Sequence, residues 1–141
     1  MGAPKCVEGA SEHFLQSLGL MRELKSGDGM ATVLTSIGST YKSWDKYDKA
    51  ISHYQLALVI ERKLEREGKV SSLLSKIGLM HKLIGENDKA LEYLEEGLAI
   101  NQKLRKEDKV SSSLTNIGLI HRLKGQYNKA LEYLEKALVI D

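Results

Sequence analysis

Two histidines, His81 and His121, stand forty residues apart, and Tyr41 occupies the place forty before them. Imidazole is the side chain best suited to ligate a metal or move a proton near neutral pH, so this pair is the first chemistry to weigh. Their spacing argues against a joint role, because equivalent positions on successive helix pairs lie about 10 Å or more apart, beyond shared coordination. Alternation with Tyr41 marks a position that packs a ring instead. His13 and His53 align in the same way with Tyr93 and Tyr133. Glu92, Glu95 and Glu96 fall at helical spacing and resemble a carboxylate pair, yet neighbouring lysines make a solvated helix face the better reading. Gly27-Asp28-Gly29 has neither a companion Gly-Lys-Ser nor a strand before it, which excludes a phosphate-binding loop. Trp44, the only tryptophan, reads as a packing or lip residue in the absence of a broad basic field. A single cysteine, Cys6, allows no internal disulfide framework and no usual zinc spacing. No catalytic, cofactor-binding or metal-binding residue is assigned, and the chain is read as a non-enzyme without a cofactor.

The elements that would position any functional residue come from a repeat. Ile37-Gly38, Ile77-Gly78 and Ile117-Gly118 recur at one forty-residue spacing, as do Ala50, Ala90 and Ala130, with Tyr54, Leu94 and Leu134 four residues further on. A fixed period of this size marks an array whose units bury their apolar faces by stacking on neighbours. Within a unit the apolar residues fall on two helical stripes, such as Leu114, Ile117, Gly118 and His121, then Ala130, Leu134, Ala137 and Leu138. Gly85 and Gly125 sit between the stripes, where a chain leaving a helix needs positive φ, and Asp45 fills that place in the first unit. Asp48, Asp88 and Asn128 are expected to cap the second helices. The recurring glycines and alanines are expected where two helices approach closely.

On these residues the chain resembles the tetratricopeptide repeat family. The signature reads Leu34-Ile37-Gly38-Tyr41 with Ala50-Tyr54-Ala57, then Leu74-Ile77-Gly78-His81 with Ala90-Leu94-Gly97, then Leu114-Ile117-Gly118-His121 with Ala130-Leu134-Ala137. The period is forty rather than the family's usual ~34, and Arg62 and Gln102 stand where a proline normally ends the second helix. That helix is expected to continue to Arg66 and Lys106 before Gly68 or Asp108 breaks it. Longer repeats of this kind are similar to those of Pins-class spindle-orientation adaptors and kinesin light chains. The resemblance implies an all-α fold, a right-handed α-α superhelix of antiparallel helix pairs.

In register with the later units, 10–29 reads as the second helix of a partial repeat without its first, behind a segment 1–9. Its Phe14 stripe is then uncovered, and Gly27-Asp28-Gly29 stands for the inter-repeat turn. Repeats follow at 30–69, 70–109 and 110–141, the last stopping partway through a helix. Two readings fit these ends: a piece excised from a longer array, or a short protein whose bare ends pair with another copy.

The resemblance places function on the concave face, lined by the first helices. At about 100° per residue the groove-facing side chains are Thr35, Ser39 and Lys42 in the first unit, Ser75, Leu79, Lys82 and Leu83 in the second, and Thr115, Leu119, Arg122 and Leu123 in the third. Thr32, Ser43, Ser72 and Ser112 extend a hydroxyl stripe. The groove thus offers hydroxyls, an apolar patch and a ladder of three cations, complementary to a ligand with apolar and acidic groups. Solvated surface is the competing reading of the cations, and packing on the next helix that of the leucines. The carboxylate clamp by which related domains hold chaperone tails is absent, since Thr35, Ser39, Leu79, Ser112 and Asn116 occupy its places.

Expected, then, is a cytoplasmic interaction module or scaffold that binds a peptide or helical segment of a protein partner. Self-assembly through the uncovered repeat ends, giving a homo-oligomer, and a regulatory or sensor segment of a larger signalling enzyme are the alternatives. Lys and Arg total 21 against 19 acidic residues, too even a balance to argue for nucleic acid. No apolar run long enough to span a membrane is present.

Overall fold

The computed structural model describes residues 27–140. Six helices make up the regular structure among the described residues: α1 (Gly27–Ser43), α2 (Tyr47–Lys63), α3 (Glu67–Leu83), α4 (Asn87–Lys103), α5 (Glu107–Leu123) and α6 (Tyr127–Ile140). The first five are 17 residues long, and their starts fall at 27, 47, 67, 87 and 107. Each forty-residue repeat is therefore two twenty-residue halves. The described residues fall into two compact units, divided between Glu65 and Arg66.

In the first unit, α1 packs against α2. Ala31, Leu34, Ile37 and Tyr41 of α1 and Ala50, Tyr54 and Ala57 of α2 are buried, at the three- and four-residue spacing that puts them on one helical stripe. In the second unit each helix packs on the next in the chain, from α3 to α6. Leu91, Leu94 and Leu98 of α4 share a core with Val110, Leu114, Ile117 and Ile120 of α5. Lys103 at the end of α4 reaches Glu67 at the start of α3 at 2.8 Å, and Lys124 after α5 pairs with Asp88 at the start of α4. Both are surface pairs, which contribute little to stability.

Three-residue turns join the helices, and the middle residue of each has positive φ: Asp45 (60°), Glu65 (56°), Gly85 (84°), Arg105 (56°) and Gly125 (77°). At four of them two backbone bonds close the turn, as where Gly85 N–H donates to the Lys82 carbonyl (3.0 Å) and Glu86 N–H to that of His81 (2.8 Å). This is the Schellman ending, which satisfies carbonyls left open by the helix terminus. A left-handed residue at Glu65 and Arg105, directly after the helix ends, overturns the expected extension to Arg66 and Lys106. Those helices stop at Lys63 and Lys103, and Gly68 and Asp108 lie inside the next ones. Likewise, α1 begins at Gly27, so Gly27-Asp28-Gly29 opens a helix rather than forming a turn. The expected caps need correction too. Lys46 and Glu86 hold the N-cap positions of α2 and α4 without a side-chain bond, and Asp48 and Asp88 sit in the first turn. There their charge complements the positive end of the helix dipole. The partial repeat before residue 27, with Phe14 and His13, lies outside the described residues.

Close approach at the recurring glycines is plain. A Cβ on Gly78 would come within 2.9 Å of Leu94 Cγ and 3.1 Å of the Ala90 carbonyl, and Gly38 and Gly118 meet Tyr54 and Leu134 as tightly. Gly97 differs, since its Cβ would find only ordinary contacts at 3.4–3.6 Å.

Gly78→Ala is expected to destabilise the fold by about 1–2 kcal/mol, overpacking outweighing the ~1 kcal/mol gained in helix propensity. Gly97→Ala should instead stabilise by up to about 1 kcal/mol. Chemical denaturation of the two variants checks both signs. Arg105→Gly is expected to raise stability by about 0.5–1 kcal/mol, because a left-handed conformation costs a residue with a Cβ roughly 1–2 kcal/mol and glycine's greater unfolded-state entropy returns part of it. A melt at or below that of the wild type would contradict this.

Candidate partner-binding surface

Within the second unit, α3 and α5 border a shallow hollow of about 260 Å³. Ser71, Ser72, Ser75, Lys76 and Leu79 line it from α3, Lys109, Ser112, Ser113 and Asn116 from α5, and Asn101 from α4. Helical periodicity explains the α3 wall: Ser72, Ser75, Lys76 and Leu79 stand at three- and four-residue spacings. Asn101 is 3% exposed and donates from Nδ2 to Ser113 Oγ at 3.4 Å, while its Oδ1 is buried without a partner.

Of the side chains expected in the groove, Ser75 and Leu79 are brought together here with Ser72 and Ser112. Leu119 is half-buried on α5, and Leu83 and Leu123 end their helices 52% and 58% exposed. Lys82 is half-buried and Arg122 exposed. Thr115 Oγ1 donates to the Ser111 carbonyl one turn back at 2.9 Å, so this hydroxyl is engaged locally. In the first unit Thr35 does the same to Ala31 at 2.8 Å, Ser39 Oγ lies 3.0 Å from Tyr54 Oη, and Lys42 and Thr32 are exposed. Lys76, Asn101, Lys109 and Ser113 were not among the groove residues expected from helical phase. A signal for Asn101 exists in the sequence: it is a polar residue on the inward stripe Ala90, Leu94, Leu98.

The histidines pack as rings. His81 stacks on Tyr93 with centroids 5.3 Å apart, His121 on Tyr133 at 5.4 Å, and Tyr41 meets His53 at 5.2 Å with the two ring types exchanged. His81 Nδ1 lies 2.9 Å from Glu86 Oε1 and His121 Nδ1 2.7 Å from Gln126 Oε1, each imidazole N–H donating to the residue just before the next helix. The hydrogen bond from His81 is the main cause holding the Glu86 carboxyl below its ordinary value; partial desolvation opposes it and Lys89 assists. No group of three or more metal-ligating side chains occurs among the described residues, and no described helix is long and apolar enough to cross a membrane.

Comparison with known proteins places this geometry. Family models described as tetratricopeptide repeat match residues 69–141 and 31–63. No curated protein sequence matches significantly. Among solved structures, the chain is similar to BtubC (BKLC) from P. vanneervenii, with a TM-score of 0.82 and 24% identity over 96% of this chain and 57% of that one. It is similar also to the TPR domain of Arabidopsis FLU, with a TM-score of 0.75 and 16% identity over 80% of this chain and 95% of that one. A Rap protein complexed with competence and sporulation factor superimposes with a TM-score of 0.79 and 17% identity, over 95% of this chain and 38% of that one. The chain thus spans little more than half the length of the first of these relatives.

The His81–Glu86 contact has a pH signature. A carboxyl whose pKa is lowered on folding adds stability that is complete above its ordinary value of 4.5 and is lost as pH falls through the lowered one. Melting temperatures of the wild type and Glu86→Gln, followed from about pH 7 to about pH 3, should differ at neutral pH, the variant lower, and converge in acid. A constant offset would show that the carboxylate charge has no part in the contact.

Proposed function

The chain belongs to the tetratricopeptide repeat family, and on that premise we propose that it is a non-enzymatic protein-interaction scaffold that receives a peptide or helical segment of a partner on the faces of its first helices. The observation that supports this reading is the recurrence of Leu79 and Leu83 on α3 as Leu119 and Leu123 on α5. These leucines are half-buried or exposed rather than enclosed, and Leu79 lines the hollow between the two helices. Lys82 and Arg122 stand beside them in sequence and supply charge for acidic groups of the ligand. The Rap structure, solved with competence and sporulation factor, supports the same use of such an architecture. Fully burying each apolar side chain against a ligand contributes on the order of 1.5–3 kcal/mol, so a few contacts suffice for micromolar binding.

Self-association has an observation of its own. Leu131 and Leu138 on α6 are 55% and 76% exposed, whereas Leu91 and Leu98, their counterparts on α4, are 8% and 9% exposed in the core shared with α5. An apolar stripe of this kind is a surface on which another helix would pack.

Affinity capture from a lysate of the source cells, with the wild type and with Leu79→Glu/Leu119→Glu, separates the two readings once both proteins are shown to melt cooperatively. Groove binding predicts a partner held by the wild type and lost by more than about tenfold in the variant, since two buried leucines are removed. Identical captures, or recovery only of further copies of the chain, would overturn it and turn attention to α6.

A further inference from the structure

Resting on the groove reading above, we infer that the hollow between α3 and α5 is a receiving site for a carboxylate side chain of an acidic peptide segment, with the Asn101 amide at its floor. The first ground is the amide itself. Asn101 is 97% buried, its one hydrogen bond to Ser113 Oγ is long at 3.4 Å, and the other end of the amide has no partner among the described residues. A buried polar atom left in this state is costly, and native structures normally supply it with a protein, water or ligand partner. The second ground is charge. Lys76 and Lys109 line the hollow, no carboxylate lines it among the described residues, and neither lysine is in an ion pair there.

These features select the ligand. Ser113 Oγ can donate as well as accept, and a half-turn of the Asn101 amide exchanges its oxygen and nitrogen. Turned so, Asn101 accepts from Ser113 and its NH₂ becomes the unpaired end of the amide at the hollow's wall. A carboxylate only accepts hydrogen bonds, so it matches that NH₂, the serine hydroxyls and the two ammonium groups at once. A cationic side chain would meet two like charges instead. At about 260 Å³ the hollow suits one side chain rather than a folded surface.

Nuclear magnetic resonance on the ¹⁵N-labelled full chain, also labelled at leucine methyls, tests this with two capped pentapeptides, acetyl-Leu-Ala-Glu-Ala-Leu-amide and its counterpart with Gln at the centre. The Glu peptide is expected to move the Asn101 side-chain NH₂ signals saturably, with at least tenfold higher affinity than the Gln peptide. Lys76→Gln/Lys109→Gln, two changes outside the apolar core, should erase that preference. Equal affinities, or a Glu peptide that leaves the Asn101 signals in place, would overturn the inference. If both peptides shift the Leu79 and Leu119 methyls alike without moving Asn101, the carboxylate site fails while the groove reading stands. If neither moves any α3 or α5 signal, the two fail together.

Discussion

Gly78 lies so close to α4 that a single added carbon would meet the Ala90 carbonyl at 3.1 Å, and the rest of the helix pair depends on that approach. Leu94 then closes over the glycine, and one turn further along α3 His81 reaches the face of Tyr93. The same registration recurs with Gly118, Ala130 and Leu134, and in the first unit with Gly38, Ala50 and Tyr54. A helix pair so tight has little freedom in its turn. Three residues connect the helices, and the middle one must be left-handed whether or not it is glycine. In the turns between pairs, Glu65 and Arg105 adopt the same conformation against their own preference.

This packing absorbs most of the side chains that look chemical. The imidazoles are spent on stacking and on N–H donation to Glu86 and Gln126. Thr35 and Thr115 bond the carbonyl one turn back, and Ser39 meets Tyr54 Oη. Groups engaged in this way must break a bond to meet a ligand, so they are weak candidates for recognition. Among the groups the second unit leaves uncommitted are the Asn101 amide end, Lys76 and Lys109, and the leucines at 79, 83, 119 and 123.

The repeat, its two helices and the glycine contacts were legible because they rest on period and residue size, both written directly in the sequence. Ring packing at His81 and His121 was legible for the same reason, through Tyr41 at the equivalent place. Helix ends were not. The left-handed residue was expected at Asp45, Gly85 and Gly125, where its type signals it, and missed at Glu65 and Arg105, where charged side chains carry no such signal. Acidic residues near the helix starts resembled caps, but the preceding turn also uses Lys46 and Glu86, which leaves Asp48 and Asp88 one place inside. The groove was read as one helix face per repeat. That view finds Ser75 and Leu79 and overlooks Asn101, which reaches the hollow from the second helix.

In a repeat array the common residues build the frame, so recognition has to come from the positions where one unit departs from its siblings. Among the positions where helix α4 departs from its siblings, two lie one turn apart beside the hollow. Gly97 stands where α2 and α6 carry Ala57 and Ala137, and Asn101 stands where α2 carries Glu61. The Cβ missing at Gly97 would have touched the Ser71 carbonyl and Ser75 Oγ, both from residues of the hollow's α3 wall, and Asn101 lines the same hollow. Glycine lowers helix propensity at the first, and at the second Asn101 leaves one end of its amide unpaired where α2 buries Glu61. Two departures that converge on one open hollow, with no carboxylate lining it among the described residues, follow naturally if that hollow is where this unit meets a ligand.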